Sequence, residues 1–435
     1  MEEPQLHRTL TWVQGTAMAI GAVLGSGVLI FPAITAEQSG PASTLAWLAM
    51  SLLAVPLALT IGRLGARYPN AGGIVEYARL AFGSTVGRIT GWLFLGTIPI
   101  GVPIIALVGA DYVASVFALP HWTILLIAPL MLALSLYLNL RGIDVAGWVQ
   151  VMLLAVIALL LIVAILAAMP HVTVRAFHPL APHGWMSVGT SAVVIFWCFI
   201  GWEMVAHLAE EFRNPSRDLR RTFTIAPAVV GVLYVALSVV TVGTHAYGSK
   251  NGIAPLSLLV GIGLGPIGSV VTGGVALLIT MVAIHGNVAG FSRMVYAQAR
   301  QGDFPAMLGK LHTRYQTPVG ALTALGVDFV IVLTVYTVFK VNLGELVKWP
   351  SVVFLVLYMI AMASAVRLLK GERWSRWMAL IPLVVCAGLY PFSGWACVYP
   401  ILLGLVGWLV VRRKVSAVPM KRDSLTSYID IGHKH

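Results

Sequence analysis

The chain has 435 residues, 59% of them hydrophobic and 10% charged, with a mean hydropathy of +0.89. This balance excludes a soluble domain, and apolar runs that do not alternate with polar residues exclude a β-barrel, leaving an all-α polytopic membrane protein. The net charge of +12 sits in short segments between those runs, so no nucleic-acid partner is expected.

About twelve spans are predicted, near residues 12–38, 43–63, 86–116, 122–140, 146–169, 187–210, 223–247, 267–296, 319–339, 347–368, 376–392 and 395–411. The last two are short, so eleven or twelve fit the pattern. The first run is too long for a signal-peptide core and lacks a cleavage pattern, so it reads as retained. Near its middle stands GAVLGSGVLIFP, Gly21 to Pro32. Each glycine costs about 1 kcal/mol against alanine in a helix. An opened helix at membrane depth needs protein, a cavity or a ligand to satisfy its amides. Two readings of this stretch stand together. Gly21 and Gly25 form a GxxxG pair suited to close helix packing, or Gly25, Ser26 and Gly27 break the helix to bind an anion.

With the N-terminus inside, 24 of the 28 Lys and Arg fall in segments on the same side as that terminus. The opposite side keeps Arg175, Lys250, Lys340 and Lys348. Such an asymmetry predicts cytoplasmic termini and an even number of spans. The segment after Val411 is polar and basic, and is expected to be a cytoplasmic tail.

A second interruption lies in the sixth span, IFWCFIGWE, Ile195 to Glu203, where Gly201 and a carboxylate enter an apolar run. Breaks in the first and sixth spans occupy corresponding places of a five-plus-five arrangement, whose second half is inverted because each half has an odd number of spans. Paired breaks of this kind point to a transporter's binding site. No residue-level identity between the halves supports the repeat; position alone does.

Several stretches then carry a family resemblance: GSGVLIFP (Gly25 to Pro32), YPNAGGIVEYARLAFGSTVGRITGW (Tyr68 to Trp92), FWCFIGWE (Phe196 to Glu203), EEFRNPSRDLRRT (Glu210 to Thr222) and RMVYAQARQGDFP (Arg293 to Pro305), followed by TPVGAL from Thr317. In this order they resemble amino-acid permeases of the APC (amino acid–polyamine–organocation) superfamily. Within it, IPIGVP (Ile98 to Pro103) and the run from Phe196 to Pro215 look most like bacterial exporters of methionine and branched-chain amino acids.

The resemblance implies a LeuT-like core. Residues 1–169 form a first five-helix repeat, broken near 25–27, and residues 187–368 a second, inverted one, broken near 198–201. Two peripheral helices follow over 376–411, then a basic tail over 412–435. It implies that the substrate carboxylate lies on the amides of Ser26, Gly27 and Val28, where a half-helix N-terminus favours an anion. It also implies that the ammonium meets carbonyls of Phe196, Trp197 and Ile200, at a C-terminal helix end that favours a cation.

Trp197 and Trp202 flank the second break, either as a gate over the substrate or as core aromatics. An ionisable group at membrane depth is costly, so Glu203 reads as a proton-handling residue or as a tie for broken-helix amides. His285, with Asn287 beside it in the eighth span, is expected to face the pocket, and His207 and Asp328 are weaker proton candidates. Some proton-coupled relatives carry a lysine in the middle of span five; here none precedes Lys250, so coupling through it is excluded. Spans one, three, six, eight and ten should line the pocket, with Ile98, Ile100, Val102, Ile104 and Ile105 as an apolar wall. Burial is worth about 0.8 kcal/mol per methylene, which favours methionine, leucine, isoleucine and valine over charged amino acids.

The expectation is therefore a secondary active transporter of neutral apolar L-amino acids in a bacterial inner membrane, working by alternating access and exporting. A coupling proton and a homodimer fit the same reading, and no cofactor is required. Import or exchange of other amino acids or amines is the rival within the class, and a channel is the rival outside it. The three cysteines lack metal spacing, and no HExxH motif or nucleophile set argues for an enzyme.

Overall fold

The computed structural model describes residues 8–25, 27–248, 255–340, 343–370 and 373–415. Among them the regular structure is helical, with one isolated bridge between Leu10 and Phe212. Ten segments are long and apolar enough to cross a membrane, and the first (Trp12–Arg67) and last (Trp374–Val410) each contain two crossings.

The first crossing is two helices, α1 (Trp12–Val23) and α2 (Gly27–Ser39). Thr11 opens α1 with a capping box: its hydroxyl accepts from the Gln14 amide while Gln14 accepts from the Thr11 amide. α3 (Ser43–Arg67) returns to the arginine-rich face. There the short α4 (Ile74–Phe82) lies before the third crossing, an element that the twelve spans did not include. That crossing is also divided, into α5 (Ser84–Leu95) and α6 (Ile98–Val116), rather than one helix over 86–116. The division falls at Gly96 and Thr97, where Pro99 has no N–H to carry the hydrogen-bond ladder through.

α7 (Ile124–Arg141) and α8 (Ile143–Ala168) complete the first half of the chain. The sixth crossing is again two pieces, α9 (Met186–Trp197) and α10 (Trp202–Ala206). Then come α11 (Pro215–Gly243), α12 (Pro255–Arg300, interrupted at Gly265), α13 (Val319–Phe339) and α14 (Leu343–Leu368). The last two crossings, α15 (Arg373–Leu389) and α16 (Val398–Val415), run a few residues beyond their expected bounds of 376–392 and 395–411 at one end each. Residues 416–435, most of the expected tail, lie outside the described residues.

Burial sorts these helices. Every residue from Gln14 to Val23 of α1 is buried, as is all of α10. By contrast α13, α15 and α16 expose large apolar side chains such as Val330, Phe339, Val384, Ile401 and Leu405. In a chain of this composition such exposed apolar faces are where acyl chains pack, and the broken helices form the protected centre.

Candidate functional site

The two interruptions meet at the centre of the bundle. α1 ends at Val23, and α2 restarts at Gly27 from the other side of the gap. α9 ends at Trp197, and α10 begins after Gly201, whose φ of +130° lies in the region that favours glycine. A Cβ at Gly201 would stand 3.0 Å from the carbonyl of Ala22, and one at Gly27 would stand 2.8 Å from Sγ of Cys198. Main chain therefore approaches main chain at both breaks, and glycine at each is what allows it.

Each break exposes helix ends of opposite polarity. The first amides of α2 have no partner within the helix and carry its positive end. At the second break the carbonyls of Phe196 and Trp197 accept 3₁₀-type bonds from the amides of Phe199 (3.0 Å) and Ile200 (3.3 Å), leaving each a second lone pair. A phenol ties the two gaps together. The Tyr234 hydroxyl on α11 reaches the carbonyl oxygens of Val23 (2.9 Å) and Cys198 (3.1 Å), one from each break. Its ring is held against Trp47 and Phe199, with centroids 4.9 and 5.2 Å away.

Between the breaks lies a cavity of about 30 Å³, lined by residues of five crossings. Gly25 and Gly27 come from the first, Ile98, Val102 and Ile105 from the third, and Trp197 and Ile200 from the sixth. Asn287 and Phe354 add the eighth and tenth. The space suits a water molecule rather than an amino acid, so this conformation has the site contracted. Trp197 also borders a second, larger hollow of about 470 Å³ toward the face bearing Gln38, Thr190 and Lys348. The indole thus separates the central cavity from an apolar vestibule.

The other expected site residues occupy distinct places. Val28 and Phe196 are buried but do not line the cavity; the Phe196 ring stands edge-on to Tyr358, 5.8 Å between centroids. Ser26 lies outside the described residues. Ile100 is not in the cavity wall and Ile104 faces the vestibule, because the wall follows one helical face through Ile98, Gly101, Val102 and Ile105. Glu203 is fully buried beside the break rather than in the cavity. Its carboxylate accepts from the Gly201 amide at 3.1 Å and from the Tyr358 hydroxyl. Trp202 is buried and lines neither hollow. His285 turns to α7, where its Nδ1 is 3.0 Å from the Asn139 amide nitrogen, while Asn287 reaches the cavity. Residues two apart on a helix point about 200° apart, so these two cannot share one void.

Toward the arginine-rich face the layer beneath the cavity is cross-linked. The Glu211 carbonyl accepts from the amides of Thr9 and Leu10, both at 2.9 Å, and its carboxylate meets Arg293 at 2.7 Å with both side chains buried. Glu210 meets Arg300 at 2.9 Å, and Asp303 pairs with Arg79 and with Arg88. Asp218 accepts from the Asn214 amide at the start of its own helix, α11.

A family model described as amino acid permease matches residues 10–413. The chain belongs to the amino acid permease family. Among relatives of this permease, the uncharacterized amino acid permease YecA of Bacillus subtilis is 46% identical over 411 residues, covering 94% of this chain and 97% of that protein. The L-methionine/branched-chain amino acid exporter YjeH of Escherichia coli is 31% identical over 413 residues, covering 94% and 97%. The branched-chain amino acid permease BcaP of Bacillus subtilis is 24% identical, covering 94% and 90%. The permease is therefore a transporter and not an enzyme. Sequence reasoning passed over Tyr234, Phe354 and Cys198 as site elements; a single glycine inside an apolar run signals a break, whereas a tyrosine or phenylalanine there signals nothing by itself.

Proposed function

We propose that this permease is a secondary active transporter of neutral apolar L-amino acids, with methionine, leucine, isoleucine and valine as substrates, and that it exports them from a bacterial cell across the inner membrane. The observation that carries this reading is the cavity between the two breaks. It offers main-chain dipoles for the two charged ends of an amino acid and Ile98, Val102, Ile105 and Phe354 for its side chain. Among the described residues no carboxylate or basic side chain lines it, so a charged substrate side chain would lack a partner among them. The named substrates of YjeH and BcaP agree with such a wall, and the direction follows the name of YjeH.

In this reading the carboxylate rests on the amides of Ser26, Gly27 and Val28, and the ammonium on free lone pairs of the Phe196, Trp197 and Ile200 carbonyls. The arginine-rich face is cytoplasmic, with both termini on that side. The vestibule is then external and Trp197 is its gate, so the structure is shut toward the cytoplasm and contracted at the centre. Two inverted repeats, 1–169 and 187–368, rock about the breaks to expose the site alternately. Glu203 is the candidate for a coupling proton, because it is a buried carboxyl that bonds the second break directly.

The test is a panel of radiolabelled amino acids in proteoliposomes of the purified chain, with imposed proton and sodium gradients. Saturable counterflow of methionine, leucine, isoleucine and valine, with little arginine or glutamate, is expected. Conductance without exchange would make the protein a channel, and a preference for charged substrates would remove the apolar-wall argument.

A further inference from the structure

One carboxamide enters the cavity between the breaks. Among the described residues Asn287 is the only one lining that cavity with a side-chain oxygen. Its place on α12 is fixed from both sides. A Cβ on Gly25 would stand 2.9 Å from Cβ of Ala283, and one on Gly290 would stand 2.5 Å from the carbonyl oxygen of Met204. Residues 283, 287 and 290 share one face of a helix. That face therefore lies on the first break on one side of Asn287 and on α10 on the other. Asn287 is 4% exposed, and its Nδ2 donates to the Ala283 carbonyl at 2.8 Å. In an α-helix that carbonyl, four residues back, also takes the main-chain amide of Asn287. The side-chain nitrogen is thus spent on its own helix. The oxygen is the group left over, and among the described residues no donor reaches it.

A buried acceptor without a donor at membrane depth is costly, so its partner must come with what fills the cavity. The rest of the wall narrows that partner, given the amino-acid seat proposed above. An ammonium brings three N–H donors. Of the carbonyl residues assigned to it, Trp197 and Ile200 line the cavity and Phe196 does not. Two acceptors leave one N–H unmet. We propose that the side-chain oxygen of Asn287 takes this third N–H, which makes Asn287 the residue that selects a primary α-ammonium. The bond is charge-assisted and so among the stronger kinds. A substrate entering the other way round would set carboxylate oxygen against amide oxygen, so the same group disfavours the reversed pose.

The experiment measures binding of methionine and of its desamino analogue, 4-(methylthio)butanoate, to the purified full chain in detergent. The two compounds differ only at the ammonium. The readout is the ratio of their dissociation constants, which a merely structural role of Asn287 would leave alone. N287L keeps the shape and removes the hydrogen-bonding groups. In it methionine affinity should fall about 10- to 100-fold while the analogue changes little, so the ratio shrinks by that factor. N287D keeps the acceptor oxygen, and the ratio should hold at the wild-type value or widen. Where the wild type binds methionine, an unchanged ratio in N287L would overturn the role of Asn287 alone. So would a ratio that shrinks in N287D, whether or not N287L folds. A wild type that binds neither compound would overturn the amino-acid seat and this proposal together.

Discussion

The substitution Gly27→Ala tests whether the close approach of the two breaks shapes the site. A methyl group on Gly27 would lie 2.8 Å from Sγ, 3.0 Å from Cβ and 3.3 Å from Cα of Cys198. Favourable separations between such atoms are about 3.5–4.0 Å, so the two segments must part by a good fraction of an ångström. Because Cβ and Cα are among the obstructing atoms, rotating the thiol away does not relieve the clash. Overpacking of this kind costs about 1–3 kcal/mol. If that cost falls on the substrate seat proposed above, with the two breaks keeping this spacing when the site fills, it is about a five- to 150-fold loss in methionine affinity. Scintillation-proximity binding to purified protein measures it, with size-exclusion profiles to confirm folding. The clash also dictates the rescue. Cys198→Ala removes only the sulfur, so G27A/C198A should recover part of the affinity, and G27A/C198G more. A double-mutant cycle on these positions should show clear coupling. Wild-type affinity in Gly27→Ala, or strictly additive losses in the double variants, would refute the argument that the breaks keep this close approach when the site opens to take substrate.

Two further outcomes follow from neighbouring contacts. Tyr234→Phe removes the hydroxyl that the Val23 and Cys198 carbonyls share, and leaving buried acceptors unmet should lower stability by about 1–3 kcal/mol. A fall in thermal midpoint together with weaker substrate binding is expected, and an unchanged midpoint would mean that the bridge carries no weight. Glu203→Gln keeps an oxygen that can accept from both Gly201 and Tyr358 while removing the charge; transport should persist but lose pH dependence, and an unaltered pH profile would make Glu203 a helix tie only.

Both breaks were legible because glycine inside a long apolar run has few other uses, and Glu203 because a lone carboxylate in such a run is expensive. What each residue does there was less legible. Glu203 reads as a charge near a binding site, yet its oxygens are directed at Gly201 and Tyr358, and Tyr358 lies 155 positions away. His285 and Asn287 look equivalent in sequence, but helical rotation sends one to Asn139 and the other to the cavity. The third crossing was read as one continuous helix because Gly96 and Thr97 follow an apolar run that hydropathy alone does not divide. Tyr234 could not be singled out at all, since the reach of its hydroxyl depends on how α11 crosses two other helices.

Glu211 deserves a last consequence. One residue clasps the chain's leading segment with its main chain and α12 with its side chain. Fraying that floor strand by strand would strand a buried guanidinium without a counterion, a loss of about 3–5 kcal/mol when one partner leaves. In the alternating-access reading proposed above, the leading segment and α12 would then let go of Glu211 together, which turns two ordinary contacts into a catch with two settings.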